Sequence, residues 1–318
     1  MQKMLAREKL SEMYLEALHQ DQIPWRQNWK NYEIPFNAST GKHYQGINNL
    51  ILSFVANARG YADPRWMTFN QAKKLGYSIK PAPENMKGDY GVKIEYWAIY
   101  DPKTKRNINF KEYEKIEKED PERADKMKLV NRVSTVFNAE QINGIPKYVK
   151  QDIDELEFEL DDAMENMIEN MHIEINKGGN NAAYIPDLDK IIIPEERQFI
   201  SEYDYKSTLL HELAHSTGHE SRLNRNIKNV FGSEEYAKEE LRAEIASSFL
   251  CQEFHMEASQ ENLDNHKAYI QSWIKVLEKD PNELFKSIKD ANEISNYMIQ
   301  KADLELMKDR KMELQNML

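Results

Sequence analysis

The first twenty residues alternate charged positions with Met and Leu (M-L-A-R-E-K-L-S-E-M-Y-L-E-A-L), a pattern that predicts a helix over about residues 2–20. An irregular stretch follows from Pro24 through Asn37, and Thr40-Gly41-Lys42 predicts a turn. N-L-I-L-S-F-V-A-N-A-R is apolar around most of its circumference, which predicts a buried helix ending at Gly60. Trp66 to Phe69 is strand-like, and Asn70 is placed to cap a short helix stopped by Gly76. Tyr77 to Lys80 and Val92 to Trp97 alternate with period two around a Pro/Gly-rich turn and predict a hairpin. Residues 111–128 are almost all charged and read as an exposed helical excursion or a mobile insertion. Val133 to Asn138 returns as a strand, with an exit turn from Gln141 to Pro146.

The second half opens with a predicted helix over about 151–171. Three short apolar runs then predict strands at His172 to Ile175, Ala182 to Ile185 and Lys190 to Ile193. Helices are expected from Ser201 to Gly218, Tyr236 to Leu250 and Tyr269 to Leu277. After the break at Asp280-Pro281-Asn282, another runs toward the end. A small sheet ahead of a helix offers an edge on which an extended peptide can lie.

The helix from Ser201 changes this from a fold to a chemistry. It contains His211-Glu212-x-x-His215, and residues four apart share one helical face. Both imidazoles can reach one Zn²⁺, with Glu212 beside them as a base. Ser201 or Asp204 would cap the start, and Gly218 suits a left-handed end. The third ligand is expected on the next helix, where Glu240 and Glu244 lie four apart on one flank. The reading is Glu240 on the metal and Glu244 on a histidine N–H, with Glu239 and Glu244 as the other choices of ligand. Tyr236, His219 and Arg222 are candidates to stabilise an oxyanion.

Charge divides the chain. The net charge is −11, yet residues 1–150 hold 25 Lys and Arg against 18 Asp and Glu, and residues 151–318 hold 18 against 36. Four of the five tryptophans lie in the basic half. Cations that follow phosphates, interleaved with rings that stack on unpaired bases, suit single-stranded DNA. The candidate contacts are Trp25, Arg26, Trp29, Lys42, Tyr44, Asn48, Trp66, Lys73, Lys74, Lys80 and Trp97. Cys251 is the only cysteine, which excludes an intramolecular disulfide and a cysteine zinc cluster. No run of 18 apolar residues spans a membrane and no signal peptide is visible, so a cytoplasmic protein is expected.

Specific motifs carry a resemblance over about residues 5–300. P-W-R…W, T-G-K-H-Y-Q-G-I-N, W-M-T-F-N-Q-A-K-K-L-G and V-F-N-A-E-Q-I-N-G-I-P resemble the single-stranded-DNA-binding domain of the ArdC antirestriction family. H-E-L-A-H-S-T-G-H-E-S-R-L-N-R, F-G-S-E-E-Y-A-K-E-E-L-R-A-E and Y-I-Q-S-W-I-K-V-L resemble that family's zincin-type metallopeptidase domain. The loop after Gly76, I-K-P-A-P-E-N-M-K-G-D-Y-G, departs from the Lys-Gly-rich run usual there. The resemblance implies an α+β protein in two parts. Residues 1–148 would form the mixed α+β DNA-binding domain, and 149–318 a mostly helical, gluzincin-type domain with a small sheet. It also implies a protein of mobile elements that shields single-stranded DNA from host restriction, with a zinc site of the Glu-ligand type. A protein substrate, with the host restriction machinery as one candidate, goes with the peptidase reading. The alternative is a DNA-binding protector whose metal site is structural or silent.

Overall fold

The structure, a computed structural model, describes residues 2–24, 33–149, 160–256 and 269–303. It divides into two compact units that exchange the chain several times. One comprises residues 1–6, 35–44 and 63–146, and the other 7–34, 45–62 and 147–318. The architecture is α+β in each.

The first unit is built on a five-stranded sheet in the order β1-β2-β6-β4-β5. Its strands are β1 (Phe36–Asn37), β2 (Arg65–Thr68), β4 (Val92–Asp101), β5 (Arg106–Ile108) and β6 (Lys128–Asn138). β1 and β2 are parallel and the other neighbours antiparallel. The spine is the long β4–β6 pairing, in register from Val92↔Val136 to Tyr100↔Lys128. The expected hairpin between residues 77–80 and 92–97 does not form. Instead β3 (Ser78–Ile79) pairs with β7 (Ile142–Asn143), while β4 satisfies its backbone along β6. The lesson is one of length: β6 offers β4 a far longer ladder than a two-residue strand can.

Thr68, not Asn70, caps the short helix α3 (Phe69–Lys74), through a capping box with Gln71. The charged excursion is ordered as α4 (Phe110–Glu119) and α5 (Pro121–Ala124), capped by Asn109 and Asp120. Ile116 pins it by packing with Ile99 and Ile108. Asp101, fully buried, bonds the Arg123 guanidinium and the Thr104 hydroxyl, which hold its carboxyl below the usual range.

The second unit is mostly helical. It takes in α1 (Gln2–His19) from Arg7 onward, α2 (Gly46–Arg59) and α6 (Leu160–Met171). The remaining helices are α7 (Glu202–Ser216), α8 (Glu234–Glu253), α9 (Ile270–Lys279) and α10 (Asn282–Ala302). One core joins Leu10, Tyr14 and Leu18 of α1, Leu50 of α2, Met167 of α6, Leu213 of α7, Leu241 and Ile245 of α8, and Ile294 and Met298 of α10. Residues before 148 thus contribute α1 and α2 to this core. The apolar faces of α1 and α2 belong to this core, and α2 packs on α10.

A small sheet in the order β8-β10-β9 completes the unit, with β8 (Glu174–Lys177) parallel and β9 (Ala183–Ile185) antiparallel to β10 (Lys190–Ile193). Ile191 and Ile193 of β10 enter the core, so the sheet lies against α7 with β9 as its edge. No helix among the described residues is long and apolar enough to cross a membrane.

Candidate functional site

Ser201 starts α7 by accepting the Asp204 amide, and Ser233 starts α8 by accepting the Tyr236 amide. Leu209, Leu210, Leu213 and Ala214 of α7 are buried, as are Leu241, Ile245 and Ala246 of α8. Packing these apolar stripes together turns the polar flanks of both helices toward a shared cleft of about 430 Å³. His211, Glu212 and His215 enter it from α7, and Tyr236, Glu239 and Glu240 from α8. The edge strand contributes Ala183 and Tyr184, and the α7–α8 loop contributes Ile227 and Lys228.

The donor atoms converge. His211 Nε2 and His215 Nε2 stand 3.1 Å apart, and the Glu240 carboxylate lies 3.5 Å from the first and 3.4 Å from the second. Ligands at 2.0–2.1 Å around a tetrahedral zinc stand about 3.3–3.4 Å from one another. The His211–His215–Glu240 set thus fits a divalent metal by spacing and by donor chemistry alike. Each imidazole turns its other nitrogen to a second carboxylate. His211 Nδ1 lies 3.5 Å from Glu244, and His215 Nδ1 lies 3.4 Å from Glu239. This is how histidine ligands are usually oriented. Glu239 thus lies against the opposite ring nitrogen of His215 from Glu240.

Glu239 is itself held. Arg225 Nη2 donates to its Oε1 at 2.8 Å, and the same guanidinium donates to the Thr217 hydroxyl and the Ala214 carbonyl. Gly218 makes room for this arm. Its backbone is not left-handed, contrary to the expected cap, and Thr217 ends the helix. A Cβ at Gly218 would stand 2.3 Å from Ile227 Cγ2 and 3.3 Å from Arg225 Nη2. Close approach, not turn geometry, explains the glycine.

Four carboxylates buried around two imidazoles set the electrostatics. Burial alone would lower both histidines. Bonds to Glu240 and Glu244 nonetheless raise His211 to about 9, and bonds to Glu239 and Glu240 raise His215 to about 10. Glu240 is pushed up by burial and pulled further down by the two imidazoles, ending below the usual carboxylate range. Glu212 reaches the cleft with one oxygen accepting the Tyr184 amide of β9 at 2.7 Å. The hydroxyls of Tyr236 and Tyr269 meet at 3.4 Å on the cleft wall. Burial, and the negative charge of Glu240, raise both phenols and keep them protonated donors.

Two of the oxyanion candidates go elsewhere. The Arg222 guanidinium is buried against Asp189, the Met171 and Ser216 carbonyls and the Tyr184 hydroxyl, so it braces the β9–β10 turn against the end of α7. His219 bonds Ser221 and faces Asp189, outside the cleft. Sequence reasoning missed Arg225, Tyr269 and the Tyr184 amide. Only tertiary packing brings them to the site.

The nucleic-acid candidates scatter. Trp25, Arg26 and Trp29 lie outside the described residues. Trp66 is a fully buried core side chain. Asn48 belongs to α2 and the second unit. Tyr44 is half-buried with its hydroxyl bonded to Asn37, and Lys80 donates to the Glu140 carbonyl. Lys42, Lys73, Lys74 and Trp97 are exposed.

A family profile described as the N-terminal domain of the anti-restriction factor ArdC matches residues 5–137, and one described as a zincin-like metallopeptidase matches residues 162–290. The chain is 37% identical over 299 residues to a DNA primase TraC of Escherichia coli, and 36% identical to a second one. These matches cover 92% of this chain but only 27% and 20% of the primases' length. It is also 30% identical to an uncharacterized protein, y4eC, of Sinorhizobium fredii, over 87% of this chain and 84% of that one. Crystal structures of the antirestriction ArdC protein from plasmid R388 superpose with TM-scores of 0.68 (metal-free) and 0.70 (Mn(II)-bound). Identity is 27%, with 93% of this chain and 97% of that chain covered.

Proposed function

The chain belongs to the ArdC-like antirestriction family, and from that membership we propose a cytoplasmic antirestriction protein that binds single-stranded DNA and carries a zinc-dependent peptidase site. The observation that carries the peptidase half is the convergence of His211, His215 and Glu240 beside a base, in a cleft bounded by a strand edge. A divalent ion held by those three side chains would supply Lewis acidity, polarising a carbonyl and acidifying water. The rest falls to the protein. Glu212, anchored through one oxygen by the Tyr184 amide, takes the proton from the attacking water and passes it to the leaving nitrogen. The β9 edge aligns an extended peptide by strand addition. A hydroxyl from Tyr236 or Tyr269 donates to the carbonyl oxygen as negative charge builds on it.

The deciding experiment changes Glu212→Gln and leaves both histidines in place. Metal content and binding to oligo-dT are expected to stay as in the unchanged protein. Cleavage, read by a proteome-wide screen for new N-termini in lysate, is expected to fall about 10²–10⁴-fold. Intact cleavage would remove Glu212 from the chemistry, and intact protection of incoming DNA when the base is gone would leave the metal site structural or silent and the protein a DNA-binding protector.

A further inference from the structure

We propose that single-stranded DNA binds the face of the β4–β5–β6 ladder that carries Tyr96, with its bases on Tyr96 and Tyr100 and its phosphates on Arg132 and Lys128. The inference rests on the DNA-binding half of the proposed function and assigns it a surface. Side chains alternate across a strand, and residues directly opposite on paired strands share a face. The register therefore sets Tyr96 beside Arg132, Ala98 beside Val130 and Tyr100 beside Lys128, all on one face. Two aromatic–cation rungs flank a small apolar one.

Arg132 also donates to Asn107 at 3.3 Å. Asn107 pairs with Tyr100 from the β5 side, so the guanidinium crosses β4 between the two tyrosines. Tyr96 is 43% exposed, Arg132 and Lys128 are exposed, and Tyr100 is half-buried. Among the described residues Arg132 and Lys128 form no salt bridge, and no acidic side chain stands on this stretch of the face. Glu95 and Asp101 point to the opposite face, where Glu95 bonds Asn131 and Asp101 bonds Arg123. One unneutralised cation between two rings and a second beside the far ring match the alternation of charge and base along an unpaired strand. The tyrosines, four residues apart on a strand, lie roughly 13 Å from one another along it. That is a span for separate bases, with the planar guanidinium between them for a phosphate. Trp97, the exposed aromatic singled out in the sequence, lies on the other face and is not part of the platform.

The test is anisotropy of fluorescein-labelled dT20 with the full chain. Tyr96→Ala and Tyr100→Ala should each weaken binding about 5- to 150-fold, as loss of one stacked base does. Tyr96→Phe should keep it, since the ring is what stacks. The double variant Arg132→Gln/Lys128→Gln should lower the slope of log affinity against log salt by about 1.4. Trp97→Ala should change affinity less than twofold, and melting curves check that each variant is folded. If the unchanged protein ignores dT20, or binds duplex DNA or rU20 as tightly, the single-stranded-DNA reading itself falls. If it binds dT20 and the tyrosine variants bind equally well, the reading stands and this surface is overturned.

Discussion

Replacing Glu239 with glutamine removes one charge from a buried line of contacts that runs Arg225, Glu239, His215. At 2.8 Å and an effective dielectric of about 20, the Arg225–Glu239 attraction is roughly 6 kcal/mol gross. Desolvation of both groups offsets much of it. What remains visible on removing one partner of a buried pair is about 3–5 kcal/mol, because the guanidinium is left without its counter-charge. The metal site pays separately. His215 Nδ1 keeps an oxygen to donate to but loses the carboxylate charge that raises the ring's basicity, and changing such an outer partner typically costs 10–100-fold in affinity. Zinc competition against a chromogenic chelator reads the second effect, and melting with and without chelator reads the first. Glu239→Gln should therefore lower both the melting temperature and the zinc affinity, whereas a residue that merely packs would lower only the first. Zinc affinity within threefold of the unchanged protein, in a variant of reduced stability, would refute the positioning role. Total loss of zinc would mark Glu239 as a ligand and displace Glu240.

Gly218→Ala should act on the same line from the other end. The added methyl must move Ile227 by about 1 Å to reach an ordinary contact, which costs about 1–3 kcal/mol, and it crowds the Arg225 guanidinium. A loss of zinc affinity smaller than that of Glu239→Gln is expected in the same titration. Protons should compete with the metal. In the metal-free protein the glutamates hold His211 and His215 above the unfolded value of about 6.5, so their pairing stabilises the fold below pH 6.5 and is lost as pH rises through the raised values. Zinc takes neutral imidazoles, so binding at pH 7 should expel protons, and apparent affinity should climb as pH rises above neutrality. Calorimetric titration in two buffers of different ionisation heat measures this, and heats independent of buffer would contradict it.

The convergence of His211, His215 and Glu240 follows from the sequence because helix geometry is local. Spacing of four on α7 fixes His211 above His215, and spacing on α8 puts Glu240 and Glu244 on one flank, so only the pairing of two amphipathic helices had to be assumed. Where a residue's role depended on a distant partner, local pattern failed. Val92 to Trp97 has the alternation of a hairpin arm, but its partner is β6, across two intervening helices. Arg222 and Arg225 are equivalent on paper; one is consumed by Asp189 and the other by Glu239. Trp66 and Trp97 are likewise indistinguishable by composition, yet one is fully buried and the other 57% exposed. Gly218 was placed correctly at a helix end for the wrong reason, since a sequence shows a missing side chain but not what fills the space.

The threading of α2 into the second unit has a temporal side. Residues 46–59 leave the ribosome well before residues 282–302, against which they pack. At 5–20 residues per second this leaves a sticky segment waiting roughly 10–45 s for its mate. Nascent chains of this protein should lean on holdase chaperones during that interval, and ribosome-bound chains stalled short of residue 282 should be the most aggregation-prone of the series.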